Sequence, residues 1–163
     1  MSNNDILRTL RYTFHFHDHK MSEIFGFGGV NLFSEEVALW LKKEDDPDFK
    51  KLYDKDLAAF LNGFIILNRG LKGEEVPAAE KSLNNNLILR KLRIALNYKD
   101  EDMLDIFALR GFRLSKHELS AFFRNPTQPQ YRECKDQVLR NFLMGLQMKY
   151  RPKDEGWFLN AKC

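Results

Sequence analysis

The residue pattern predicts an all-α protein of two tandem four-helix modules, related by internal duplication and packed with pseudo-twofold symmetry. Three observations lead there. Residues 3–64 align with residues 85–146 at a constant offset of 82, without a gap. Apolar residues recur at helical spacing through both segments. Prolines such as Pro47 and Pro129 fall between the periodic stretches, where a helix must stop. The modules are expected at 1–68 and 85–150, joined by a linker at 69–84. Residues 151–163 read as a mobile tail, with Trp157 and Phe158 able to dock onto the body.

In each module the first helix opens on an Asn-Asn pair. Ile6, Leu7, Leu10 and Phe14 share one face of a helix expected over Asp5–Phe16; Leu89, Leu92, Ile94 and Leu96 share the other copy's. Asn4 and Asn86 are read as N-caps. The second helix runs from Asp18 to Phe27 with Met21, Ile24 and Phe25 inward. Its counterpart begins at Asp100 with Met103, Leu104, Ile106 and Phe107 inward. Gly29 and Gly111 suit helix ends that need positive φ. The third helices begin near Ser34 and Ser115; Ser115 with Glu118 has capping-box spacing, and Ser34, with Val37 three residues on, lacks it. The fourth span Asp54–Leu67 and Asp136–Lys149. Gly63 and Gly145 lie within them, where glycine costs about 1 kcal/mol against alanine. Recurrence in both copies predicts a close helix–helix contact there.

The segments NNDILRTLRY, VALWLKKEDDPDF, FLNGFIILNRG, NNNLILRKLRIAL, FRLSKHELSAFFRNP and YRECKDQVLRNFLMGL together resemble the YehS-like bacterial family of unknown function, DUF1456, in two tandem copies. The resemblance runs to about Tyr150, and the tail GWFLNAKC departs from it. It implies the two-copy architecture and a cytoplasmic site, and brings no catalytic residues.

Bulk composition narrows the function classes. With 44% hydrophobic and 30% charged residues, the 163-residue chain reads as an ordinary globular protein rather than a disordered one. A net charge of +3 neither demands nor forbids a nucleic-acid partner. The N-terminus has no apolar signal core, and no run reaches membrane-spanning length, so a non-membrane, cytoplasmic protein is expected. Two cysteines, Cys134 and Cys163, form no metal motif. Cys134 aligns with Leu52 and reads as a small buried hydrophobe.

The candidate binding residues are basic. Arg8 and Arg11 share a helix face, and Arg90 and Arg93 repeat them with Lys91 between. Such faces could grip phosphate oxygens. The competing structural reading pairs each arginine with an acid of its own module, such as Asp54 or Asp136. DMLDIFALRGFRLSKHELSAFFR has a loose helix-turn-helix shape, with Arg110, Arg113, Lys116, His117 and Arg124 as supporting basic residues. The corresponding first-copy stretch carries Glu35 and Glu36 instead. It has no calcium-loop spacing.

Other clusters have plainer readings. His15, His17 and His19 could gather a divalent metal, but the second copy has Asn97, Lys99 and Glu101 there, so a solvated helix end is preferred. The acidic run Glu44, Asp45, Asp46, Asp48 is lost in the second copy and reads as a solvated loop. Asn62 is matched by Met144, which argues against a shared catalytic role. With no nucleophile, cofactor motif or metal set, the chain is read as a binding protein and not an enzyme. Its partner is expected to be nucleic acid through the basic surface. The alternatives are a protein-interaction adaptor with an exposed aromatic patch, and an enzyme with a cleft between the modules. A homodimer is compatible with the repeat, although one chain can satisfy its own pseudo-symmetry.

Overall fold

The computed structural model describes residues 1–73 and 75–152. Within them the helices are α1 (Asn3–Thr13), α2 (Asp18–Phe27), α3 (Ser34–Leu41), α4 (Asp54–Arg69), α5 (Asn85–Leu96), α6 (Asp100–Leu109), α7 (Lys116–Ala121) and α8 (Asp136–Tyr150). There are no strands among the described residues. Trp157, Phe158, Cys163 and the tail expected from 153 onward lie outside the described residues.

The helix starts differ from expectation in an informative way. Ser2, not Asn4, caps α1: its Oγ accepts from the Asp5 amide at 3.0 Å, and the Asp5 carboxylate accepts from the Ser2 amide at 3.0 Å. Asn84 does the same for α5, accepting from the Leu87 amide at 2.8 Å. Asn4 and Asn86 therefore lie inside their helices, at 1% and 8% exposure. Asn4 Nδ2 donates to the carbonyls of Trp40 (2.8 Å) and Lys50 (2.9 Å), while its Oδ1 accepts from the Leu52 amide (3.0 Å). Asn86 repeats this with Phe122 (3.0 Å), Arg132 (2.9 Å) and the Cys134 amide (2.9 Å). Asn3 and Asn85 donate to Leu52 and Cys134 carbonyls and to Asp54 and Asp136 carboxylates. The paired asparagines thus staple the extended segment before α4 or α8 to the first turn of α1 or α5.

Helix α3 begins one residue off the expected cap. Phe33 occupies the N-cap, and the Glu36 carboxylate accepts its amide at 2.9 Å, so half of the capping box is present. The Ser115–Glu118 box of α7 is complete.

The glycines mark close crossings, as their recurrence predicts. A Cβ on Gly63 would sit 1.9 Å from the Ile24 carbonyl oxygen, and one on Gly145 would sit 2.3 Å from that of Ile106. So α4 rides on the backbone of α2, and α8 on that of α6. In the first copy the crossing is doubled, because a Cβ on Gly28 would meet the Ala59 oxygen at 1.9 Å. Gly29 and Gly111 adopt φ of +93° and +70°, as a helix end without Cβ permits.

The copies embrace rather than abut. Helix α4 packs on α5, and α8 packs on α1, so each copy's first helix is seated on the other copy's last. These two junctions exchange under a pseudo-twofold axis. Buried residues of both copies, from Ile6 to Leu146, form one continuous apolar cluster. The α1–α8 seat is closed by Tyr150 against Phe14 (ring centroids 4.9 Å apart) and by the Arg151 guanidinium, 4.0 Å from the Tyr12 ring centroid.

Candidate functional site

The structure sorts the predicted cations by what already holds them. Arg8 and Arg90 both reach the C-terminal end of the third helix of their module. Arg8 Nη1 donates to the Lys42 carbonyl at 2.8 Å and Nη2 pairs with Asp5; Arg90 Nη2 donates to the Phe123 carbonyl at 2.8 Å. A cation there complements the helix dipole and its free carbonyls. Arg93 Nη2 pairs with Asp100 at 2.7 Å and lies 4.8 Å from the Phe123 ring centroid. Arg11, its counterpart, keeps a buried Nε with no hydrogen-bond partner among the described residues. Asp54 and Asp136 are not the arginine partners; the asparagines described above hold them, with the Leu83 amide (2.9 Å) on Asp54 and the N-terminal ammonium (3.4 Å) on Asp136. The Asn85 amide and that ammonium hold the Asp136 carboxyl below the usual range.

Lys91 belongs to no basic face. It is 8% exposed, its Nζ donating to Asn62 Oδ1 at 2.6 Å and pairing with Glu80 Oε2 at 3.0 Å. Arg113 and Lys116 are exposed, and Lys116 Nζ lies 3.1 Å from Glu101. Helix α7 has only six residues, about 9 Å of axis, short for a recognition helix lying along a groove.

A better cationic constellation joins Arg90 and Arg124, which the sequence places in separate motifs, with Arg132, which no motif singles out. Arg90 and Arg124 line one groove of about 180 Å³ with Asn84, Leu87, Phe122 and Tyr131. The guanidinium of exposed Arg132 sits over the Phe122 ring, 5.2 Å from its centroid. Arg8, Lys42 and Lys50 occupy the same three positions in the first copy, with Lys50 over Trp40 at 5.5 Å. The surroundings differ. Glu44, Asp45 and Asp46 follow the first triplet's helix, and Lys42 lies 3.8 Å from Asp46; the second has Pro126, Thr127 and Gln128 there, and its Arg132 lies 3.7 Å from Glu118. Over residues 3–68 there are 8 Lys/Arg against 11 Asp/Glu, and over the equal stretch 85–150 there are 12 against 7. The modest net charge therefore conceals an acidic copy, at −3, and a basic one, at +5.

The remaining candidates have local roles. His15 sits in the turn after α1 with φ of +59°, His17 caps α2, and His19 lies within α2, so the three do not share a helix face. No group of three or more metal-ligating side chains converges among the described residues. Cys134 is 2% exposed; burial, aided by the nearby Asp136 charge, pushes its thiol up to about 12, unsuited to nucleophilic work. No helix among the described residues is long and apolar enough to cross a membrane.

The fold and its doubled motif define a two-copy helical protein of the family described as "Protein of unknown function (DUF1456)": its model matches residues 3–70 and again 85–152, and the chain belongs to this family. Among curated proteins it is similar to "Uncharacterized protein YehS" of Escherichia coli (strain K12), with 42% identity over 155 residues, covering 94% of this chain and 99% of the relative. No solved structure matches.

Proposed function

We propose that the protein is a non-enzymatic, cytoplasmic binding protein that takes the phosphate backbone of nucleic acid on its second copy. The observation that carries this is the Arg90–Arg124 groove, with Arg132 at its side 3.7 Å from Glu118, and with Pro126, Thr127 and Gln128 where the first copy has three carboxylates. Arginine forks suit phosphate oxygens. Tyr131 in the groove offers a ring on which an unpaired base could stack, which favours single strands over duplex. Exposed Arg113 and Lys116 can extend the field on the same copy. Each junction already joins two copies within one chain, so the reading needs no homodimer.

The test is fluorescence polarisation of labelled single-stranded DNA, single-stranded RNA and duplex DNA across a salt series. Three phosphate contacts predict a log–log salt slope of about −2 for single strands. Arg90→Ala with Arg124→Ala and Arg132→Ala should abolish most binding, while Arg8→Ala with Lys42→Ala should not, provided circular dichroism shows both proteins folded. No binding at low salt would discard this reading. The adaptor alternative would then lead, supported by the outward rings of Phe33 and Tyr53, 77% and 64% exposed.

A further inference from the structure

The junction of α4 with α5 holds a cavity of about 290 Å³, near the lower bound of small-molecule sites. Most of its wall is apolar. Ile65 and Ile66 come from α4, Ile94 from α5, and Leu71 and Pro77 from the segment that leaves α4 at Gly70. Leu71 and Ile94 are 42% and 44% exposed, so two large side chains here leave apolar surface in water that an apolar guest would cover.

The polar lining is cationic. Arg69, Lys72 and Lys91 line the cavity, and no carboxylate does among the described residues. Arg69 Nη1 donates to neutral acceptors, the Asn97 side-chain oxygen at 2.5 Å and the Ile94 carbonyl at 3.3 Å, which leave its charge uncancelled. Lys72 is exposed. Glu80 pairs with Lys91 Nζ at 3.0 Å from outside the lining, and so offsets one of the three charges.

Beside these cations is a buried donor with nothing to donate to. Lys91, the one charged residue that is buried among the described residues, donates from Nζ to Asn62 Oδ1 at 2.6 Å. An ammonium can only donate, so this contact fixes which end of the Asn62 amide is oxygen. Asn62 also lines the cavity and is 4% exposed, and its Nδ2 is buried without a hydrogen-bond partner among the described residues. Lys91 uses two of its three donors, on Asn62 and Glu80. A buried donor next to an ammonium is answered best by an acceptor that carries negative charge.

We infer that the α4–α5 junction binds a small monocarboxylate with an apolar body. A carboxylate oxygen accepts from Asn62 Nδ2 beside Lys91, and the charges of Arg69 and Lys72 offset the charge that Glu80 leaves unopposed. The body lies among Ile65, Ile66, Leu71 and Ile94. A neutral amide head would answer Nδ2 but gain nothing from the cations, and an ammonium head would be repelled by them.

Hexanoate, hexanamide and hexylamine share one chain and differ in head group; acetate keeps the head group and lacks the body. Each is titrated to millimolar concentration into the full chain labelled with ¹⁵N, in a buffer free of other carboxylates. The backbone signals of Ile66 and Ile94 report on the body. The side-chain amide signals of Asn62, identified by their absence from Asn62→Met protein, report on the head group. Hexanoate should shift both sets saturably, and the other three probes should each bind about tenfold more weakly or worse. Arg69→Gln with Lys72→Gln removes two charges at exposed positions without touching the core; it should weaken hexanoate about tenfold and leave hexanamide unchanged. Arg90→Ala with Arg124→Ala and Arg132→Ala, in the second-copy groove, should bind hexanoate as the parent does, so this inference and the nucleic-acid reading fail separately. Equal affinity for hexanoate and hexanamide, unchanged hexanoate affinity in the Arg69→Gln, Lys72→Gln protein, or loss of hexanoate binding in the groove variant overturns the inference. So does an Asn62 amide that no probe moves and that shows cross-relaxation only with water, which marks a hydrated structural pocket.

Discussion

An asparagine inside a helix presents a donor and an acceptor on one short arm, and Asn4 and Asn86 use both against backbone groups far away in the chain. Removing either side chain orphans two carbonyls and an amide at once. Asn4→Ala is expected to lower stability by about 2–4 kcal/mol, with Asn86→Ala somewhat milder because it is less completely buried. Asn3→Ala, in a part-buried site, should lose only about 1 kcal/mol. Urea unfolding midpoints decide this; a loss under 1 kcal/mol for Asn4→Ala would refute the stapling role. Residue type pointed to capping at these positions because asparagine favours caps. The true partners lie 36 to 48 positions away, beyond the reach of any local rule. The arginines were half legible: Arg8 and Arg93 do pair with acids of their own module, Asp5 and Asp100, whereas Asp54 and Asp136 are held by the asparagines, which is a tertiary fact.

At the scale of elements, the helices follow from periodicity, and their crossings follow from the glycines. Gly63→Ala would gain helix propensity by about 1 kcal/mol. It would also force α4 off α2, because the obstacle is a backbone oxygen rather than a flexible side chain. The net expectation is a loss of about 3 kcal/mol or more, larger than for Gly145→Ala, where the clearance to the Ile106 oxygen is greater. A stabilised Gly63→Ala protein in thermal and urea unfolding would remove close approach as the reason for this glycine. Gly63 and Gly145 were legible because they coincide after alignment of the copies. Gly28 was not, since its counterpart is Arg110 and the doubled crossing belongs to the first copy alone. Likewise the cationic groove needed the structure: Arg90 was visible on its helix, but Arg124 and Arg132 join it only through the loop folded around the end of α7.

For the whole molecule, the exchange of first and last helices makes each half dependent on the other. A fragment ending at 73 exposes the α5 seat on α4, and a fragment beginning at 75 exposes the α1 seat on α8. Neither fragment alone should show cooperative unfolding, given how little core each retains. Mixed or co-expressed, they should assemble into a one-to-one complex with native helicity. Size-exclusion chromatography with circular dichroism tests this, and an independently folded second half would contradict it. The duplication and the pairing of the copies could be read from sequence, because matching positions are a one-dimensional signal. The embrace could not, because whether α1 packs on its own α4 or on the distant α8 depends on faces that are apolar in both cases.

The embrace also bears on how such a chain can change over generations. If one module were separate and paired with an identical copy, every substitution at the seat would appear twice, so both seats would have to tolerate it together. Joining the modules in one polypeptide releases that constraint. One seat can keep Thr9 and Met144 at these positions, while the other takes Lys91 and Asn62 and, with Glu80 from the connecting segment, becomes polar. Glu80 comes from the connecting segment and has no counterpart within residues 85–146, which leaves that contact free to diverge.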